Sequence, residues 1–342
     1  MKHYNIPIFV THLGCPNMCV FCNQSKITGK IEEQCVSETT KIIESYLKTI
    51  PSKSVVEVAF FGGSFTGIPF EKQMGYLNSV KKYIDEGKVS GIRISTRPDY
   101  ISEEIIKYLK ENGVTTIELG VQSFDKKVME MSKRGYTPEV IYRACKIIKE
   151  SGISLGIQIM PGLPGSTFES DMNSAYETVK IKPDIARIYP TLVISGTELE
   201  EMNESGDYTP LTMEESITRS MHILAELEIN DIKVIRIGLQ PSEDIRAEGV
   251  IKAGPFHPAF RELVEGEILY KFIMKFSLNQ NSIEAEINLK DVSRLVGIKK
   301  INIERLKSID FNYNISGEIT QGEIKLNGNL FKRKEILKKI LR

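Results

Sequence analysis

The sequence predicts an α/β fold, a partial (β/α)6-type TIM barrel followed by a small α+β domain, and two features carry that expectation. Up to about residue 240, short β-branched or apolar runs alternate with longer helix-period segments, the pattern of repeated βα units around a parallel sheet. Past Gln240 the rhythm breaks at a Gly- and Pro-rich stretch over 249–258 and resumes in a different order.

Strands are expected over 6–11, 55–61, 91–95, 116–121, 154–160, 186–192 and 234–239. Helices fall between them over 37–50, 71–85, 102–111, 138–150 and 212–228, several opened by a Ser, Thr or Asp that can cap them. A further helix is expected over 259–275, and the domain boundary falls between about 265 and 280, dividing the chain into 1–265 and 266–342. The second part reads as strand 283–289, helix 291–296, turn 297–300, helix 301–308, strands 311–316 and 318–327, and helix 331–341, a βααββα order.

Lys and Arg (45) balance Asp and Glu (45), which excludes a protein basic enough throughout to coat nucleic acid or an anionic membrane. With 41% hydrophobic and 26% charged residues, the composition is globular rather than disordered. No run approaches the roughly 18 apolar residues of a membrane span. The short apolar start is broken by His12, so the cytoplasm is the expected compartment and no membrane partner is expected. From residue 299 to 342 there are eleven basic residues against five acidic ones, so the neutral whole conceals a basic end.

Three of the five cysteines, Cys15, Cys19 and Cys22, crowd one loop directly after the first predicted strand. Thiolates suit soft metals and iron-sulfur clusters, and three of them on a 4Fe-4S cluster leave one iron open to a small molecule. Alternatives are a zinc site completed by His12 or His3, and a redox pair formed by Cys19 and Cys22. Cys35 and Cys145 stand alone and read as inert thiols. The paired glycines Gly62 and Gly63, with Ser64, close the second strand, and no Gly-Lys-Ser/Thr ending marks a phosphate loop.

The CxxxCxxC loop after the first strand of a βα barrel resembles the signature of the radical S-adenosylmethionine (SAM) superfamily. The stretches 95–100, 120–124, 134–137 and 187–193 resemble the radical SAM core of the Elongator catalytic-subunit family, over roughly residues 5–245. A more distant similarity, to the oxygen-independent coproporphyrinogen oxidases, places Gln122, Arg134 and Gln158 among SAM contacts. The resemblance implies a 4Fe-4S cluster on Cys15, Cys19 and Cys22, and SAM held by Gly62, Gly63, Ser64, Ser95, Gln122, Arg134, Gln158 and Tyr189. Ser95 stands where the family often has Glu, and no acetyltransferase domain is read after the barrel. The implied chemistry is reductive cleavage of SAM to methionine and a 5'-deoxyadenosyl radical, with the electron supplied by flavodoxin or ferredoxin.

The stretch 295–306 resembles the helix-loop-helix of a KH RNA-binding domain, with Lys300 where the second Gly of the clamp belongs. That resemblance implicates Gly297, Lys299 and Lys300 in nucleic-acid binding and makes RNA the expected substrate. The other readings are a radical enzyme acting on a small molecule and a non-catalytic iron-sulfur RNA-binding protein. His257, in a rigid Gly/Pro loop past the last barrel strand, is a candidate catalytic group, against the alternative of a loop histidine bonded for structure.

Overall fold

Runs of β-branched and aromatic residues become strands, and the helices between them begin at capping side chains. The structure, a computed structural model, describes residues 2–10, 15, 19–23, 36–240, 243–278 and 280–341. The first half contains β1 (His3–Phe9), α1 (Val36–Leu47), β2 (Val55–Phe61), α2 (Phe70–Asp85), β3 (Gly91–Thr96), α3 (Glu103–Glu111), β4 (Val114–Gln122), α4 (Lys126–Met131), α5 (Pro138–Ser151) and β5 (Ser154–Ile159). The barrel continues through α6 (Phe168–Ile181), β6 (Ile185–Ile188), β7 (Val193–Ile194), α7 (Glu198–Ser205), α8 (Met213–Ile229), β8 (Lys233–Ile237), α9 (Glu243–Arg246), β9 (Ile251–Ala253) and α10 (Phe260–Ser277). The remainder is β10 (Ser282–Ile287), α11 (Val292–Val296), α12 (Ile301–Leu306), β11 (Asp310–Ile315), β12 (Ile324–Leu326), β13 (Asn329–Phe331) and α13 (Arg333–Leu341).

Seven parallel strands form one curled sheet in the order β1-β2-β3-β4-β5-β6-β8, an open half-barrel with β1 and β8 at its edges. Caps fix where helices start: Ser102 accepts from Ile105 N–H, Asp125 from Val128 N–H, and Thr212 with Glu215 closes a reciprocal capping box. β6 ends at Ile188 rather than at 192, because Pro190 has no N–H to give a ladder. Val193 and Ile194 pair instead with β9.

Each of five barrel strands carries a charge in an otherwise apolar run: Glu57, Arg93, Glu118, Arg187 and Arg236. Four of these neutralise one another inside the barrel. Glu118, 1% exposed, accepts from Arg93 Nη1 (2.8 Å) and from Arg187 Nε (2.5 Å) and Nη2 (2.9 Å). Glu57 accepts from Arg93 Nε (3.0 Å) and Nη2 (2.6 Å) and from the hydroxyls of Thr115 and Thr116. Burial pushes the Glu118 carboxyl up, and the flanking guanidiniums outweigh it and hold it below the usual carboxylate range. Gly156 is opposite Glu118 in the β4–β5 register; a Cβ there would lie 2.9 Å from Glu118 Cγ, so the strand yields its side-chain space to the ion pair.

One hydrophobic core lies between β1–β5 and the helices of the first half. A second runs without interruption from Ile188 and Leu224 through Phe272 on α10 to Ile287, Ile324 and Leu337, so the C-terminal sheet and the end of the barrel share a single apolar layer. That sheet has the order β11-β10-β12-β13, with β10 and β11 parallel. The sequence reading of one strand over 318–327 is corrected: β12 and β13 form a hairpin, making the order βααβββα. Asn327 (φ 46°) and Gly328 (φ 80°) both take the left-handed conformation a type I′ turn requires, a signal the reading passed over.

Replacing Glu118 with Ala leaves the Arg187 guanidinium without a carboxylate and takes one of its two carboxylates from Arg93, so denaturant unfolding is expected to show a loss of about 3–5 kcal/mol. A loss under about 1 kcal/mol would show that the interior charges do not depend on this carboxylate.

Candidate active site

Chemistry-bearing residues gather at the C-terminal ends of the barrel strands, where βα loops place side chains over a rigid sheet. Cys19 is buried, Cys22 half-buried and Cys15 exposed, and Cys19, Val20 and Phe21 pack into an apolar cluster with Leu163, Val193 and Leu199. Backbone bonds fasten this segment, Val20 N–H donating to Ser132 O and Leu199 N–H to Val20 O. Among the described residues no three His, Cys, Asp or Glu side chains converge as a bound ion requires. His12 and Cys35 lie outside the described residues.

Two guanidiniums face the Cys19 sulfur: Arg134 Nη1 at 3.0 Å and Arg97 Nη1 at 3.7 Å. Arg97 is aimed by Asp99, through bonds of 2.9 and 2.8 Å, and donates to Arg134 O at 2.6 Å. The Tyr136 ring lies 5.1 Å from both guanidinium carbons, and its hydroxyl accepts from Arg134 Nη2 at 2.6 Å. Burial lowers the Arg134 pKa, and Tyr136 and Cys19 more than restore it.

The predicted SAM contacts are only partly assembled. Gln122 and Arg134 meet around Gly120, where a Cβ would come within 3.2 Å of Gln122 Nε2 and 3.9 Å of Arg134 Nη2. Ser95 Oγ, Gln122 Oε1 and Arg134 Nε are buried without a hydrogen-bond partner. Gln122 also takes φ 71°, uncommon for a residue with a Cβ. The hydroxyl of Ser64, by contrast, is committed within the protein, to Thr96 Oγ1 at 2.9 Å and to Arg97 N–H at 3.1 Å. Gly62 has φ 101° and Gly63 follows it, making the tight turn off β2. Gln158 Nε2 donates to Glu118 Oε2 at 3.4 Å, and Tyr189 OH accepts from Arg187 Nη1 at 3.1 Å, so both belong to the edge of the buried charge network.

His257 Nδ1 accepts from Ala259 N–H at 3.0 Å, the structural bond a loop histidine makes, and its ring lines a cavity of ≈ 360 Å³ beside β8. Gly297 (φ 74°), Lys299 (φ 53°) and Lys300 (φ 64°) form the turn between α11 and α12, remote in sequence from every strand end named above. Arg97, Glu118, Arg187 and Arg236 went unmarked as site residues, although a lone charge inside an apolar strand, or an Arg following one, signals a partner across the barrel.

The Radical SAM superfamily profile matches residues 9–175, and the Radical_SAM C-terminal domain profile matches residues 183–269, together about three quarters of the chain. The chain belongs to the radical SAM superfamily. It is accordingly an enzyme whose cofactors are a 4Fe-4S cluster and SAM. It is similar to a tRNA uridine(34) acetyltransferase of Methanocaldococcus jannaschii, 29% identical over 305 residues, covering 82% of this chain and 53% of the relative. Elongator complex protein 3 of Bos taurus is 30% identical over 208 residues, covering 55% of this chain and 38% of the relative. The solved structure of an N-terminally deleted archaeal Elp3 of Methanocaldococcus infernus superposes with a TM-score of 0.61 at 25% identity, covering 82% of this chain and 64% of that one. The chain thus spans about half the length of the first of these curated relatives. Among the described residues no helix is long and apolar enough to cross a membrane.

This radical SAM site fits its cofactors by its donor set. A sulfur between two guanidiniums suits an anionic cluster ligand, and three unsatisfied buried polar atoms suit a ligand with carboxylate, ammonium and ribose groups. The turn after β5 is held beneath it by Asp171, whose carboxylate accepts from Gly162 N–H (3.2 Å) and Arg219 Nη1 (2.7 Å). Burial pushes the Asp171 carboxyl up to about 6 from an ordinary 3.8, against the pull of Arg219. A carboxyl raised in the folded state contributes stability that is full below its ordinary value and lost as pH rises through the folded one. Asp171→Asn should therefore gain stability relative to the parent between about pH 4 and pH 7, read from urea midpoints. Parallel pH profiles for the two proteins would refute this.

Proposed function

We propose that the protein is an RNA-modifying radical SAM enzyme whose cluster is held by Cys15, Cys19 and Cys22. The observation that carries the reading is the Cys19 sulfur held between Arg134 and Arg97 at the mouth of the half-barrel, with the unpartnered Gln122 and Ser95 atoms in the same strand-end layer. When bound, the cluster supplies the electron that cleaves SAM into methionine and a 5'-deoxyadenosyl radical. The chain's own part is positional: Arg134, its terminal nitrogens committed to Cys19, Gly120 and Tyr136, offers its unpartnered Nε to a carboxylate, and Gln122 and Ser95 offer polar atoms to a ribose or amino group. The packing of Cys19, Val20 and Phe21 against Leu163 and Val193 excludes water from one side of the cysteine loop.

RNA is the substrate class supported by the similarity to a tRNA uridine(34) acetyltransferase and by the charge of the C-terminal part. Part of that charge is already used: five of the eleven basic residues, Arg305, Lys307, Lys325, Arg333 and Lys334, are each paired with a carboxylate. Lys299 and Lys300 are exposed and make no ion pair among the described residues, and the left-handed turn presents both.

Cys19→Ala, or either neighbouring cysteine to Ala, is expected to abolish cluster incorporation, measured as iron and sulfide per chain, and with it anaerobic formation of 5'-deoxyadenosine. Full SAM cleavage by any of the three variants would defeat the assignment. Because the C-terminal sheet shares its core with α8 and α10, the RNA reading is better tested by point changes than by truncation. Lys299→Glu with Lys300→Glu should weaken RNA binding and reduce its salt slope by roughly 1.4, about 0.7 per lost phosphate contact on a single strand. Unchanged affinity would remove the turn from the interface.

A further inference from the structure

The seventh barrel strand carries a charge that the interior does not balance. Along the inner face, Glu57 and Glu118 stand against Arg93, Arg187 and Arg236, an excess of one positive charge. Arg236 is directly opposite Arg187 in the β6–β8 register, so two like charges share one face of neighbouring strands, a destabilising arrangement. Arg187 is neutralised by Glu118, and Arg261, the other cation nearby, donates to Val234 O at 3.0 Å and lies 3.6 Å from Glu265. Arg236 has no hydrogen-bonding or ion-pair partner among the described residues. Burial and repulsion from Arg187 and Arg261 hold its proton affinity below that of an ordinary arginine.

The surroundings of this guanidinium have the form of a ligand site. Arg236 lines the cavity of ≈ 360 Å³ at the open edge of the half-barrel, together with Ile237, Leu239, His257, Phe260 and Glu262. That volume is in the range of small-ligand pockets. With His257 Nδ1 accepting from Ala259 N–H, the neutral ring carries its proton on Nε2 and adds a donor to the cavity wall. Glu262 is drawn away toward Arg294, at 3.7 Å. A planar fork and an imidazole donor at the edge where the barrel wall is missing match an oxyanion entering from outside.

We propose that Arg236, with His257, is a phosphate-binding subsite that takes a backbone phosphate of the RNA nucleotide presented to the barrel interior. The proposal rests on the RNA reading given above, and the competing source of an oxyanion is the SAM carboxylate. Binding of a fluorescent single-stranded RNA to the reconstituted full chain, as a function of salt, separates them. Arg236→Gln should lower the salt slope by about 0.7 and weaken binding about fivefold near 0.1 M salt, the counterion-release contribution of one phosphate. Arg236→Lys should retain most of the slope. SAM affinity by equilibrium dialysis should be unchanged in both variants, and the Tm of Arg236→Gln should equal or exceed that of the parent, because a like-charge contact is relieved. An unchanged slope in Arg236→Gln, with RNA binding by the parent intact, overturns the subsite and leaves the RNA reading standing. Weakened SAM binding or a lowered Tm assigns Arg236 to the cofactor or to structure and overturns it equally, while a parent chain that binds no RNA overturns both readings.

Discussion

A carboxylate on β4 and the guanidiniums on either side of it are the constraint around which the barrel is built. Charges inside a desolvated sheet are tolerated only when paired and hydrogen-bonded, and Glu118 satisfies two at once, from β3 and from β6. The pairing ties β4 to its neighbour β3 and, across the intervening β5, to β6. Gly120 and Gln122 follow on the same strand, so the candidate site stands directly above a rigid ionic floor. Gly156 is part of the same constraint, since any side chain there would collide with the carboxylate stem.

Above that floor the chain is less economical with its polar groups. Ser95, Gln122 and Arg134 each leave a buried atom without a partner, and Gln122 adopts a backbone conformation that its Cβ disfavours. Such features persist where a ligand supplies the missing partners, and they contrast with the complete satisfaction of Glu57 and Glu118 below. The arginine pair around Cys19 extends the contrast: cations are concentrated about the sulfur of the proposed cluster ligand.

The C-terminal sheet is joined to the barrel by a common core rather than a linker. Phe272 on α10 packs edge-on to Phe331 at 5.1 Å, and Arg333 reaches back to Glu228 and Glu265. Those contacts consume much of the positive charge that the linear count of residues 299–342 assigns to a partner. Among the described residues, the exposed lysines of this stretch without an ion pair are Lys299 and Lys300 on the turn after α11 and Lys332, Lys338 and Lys339 at and along α13.

The sequence by itself determined the parallel βα architecture, the strand that each motif follows and the crowding of three cysteines, because these depend on local periodicity, capping and spacing. It also contained signals that went unused, such as Asn327-Gly328 for the C-terminal hairpin and single charges within the apolar strands. Only the tertiary structure decided which of those charges neutralise each other. Arg187 and Arg236 look alike in IARI and KVIRI, yet one meets Glu118 and the other meets none, because partnership across a barrel is set by strand order and register between residues far apart in the chain. For the same reason it took the fold to separate Ser64, whose hydroxyl is spent on Thr96, from Ser95 and Gln122, whose buried atoms are left open.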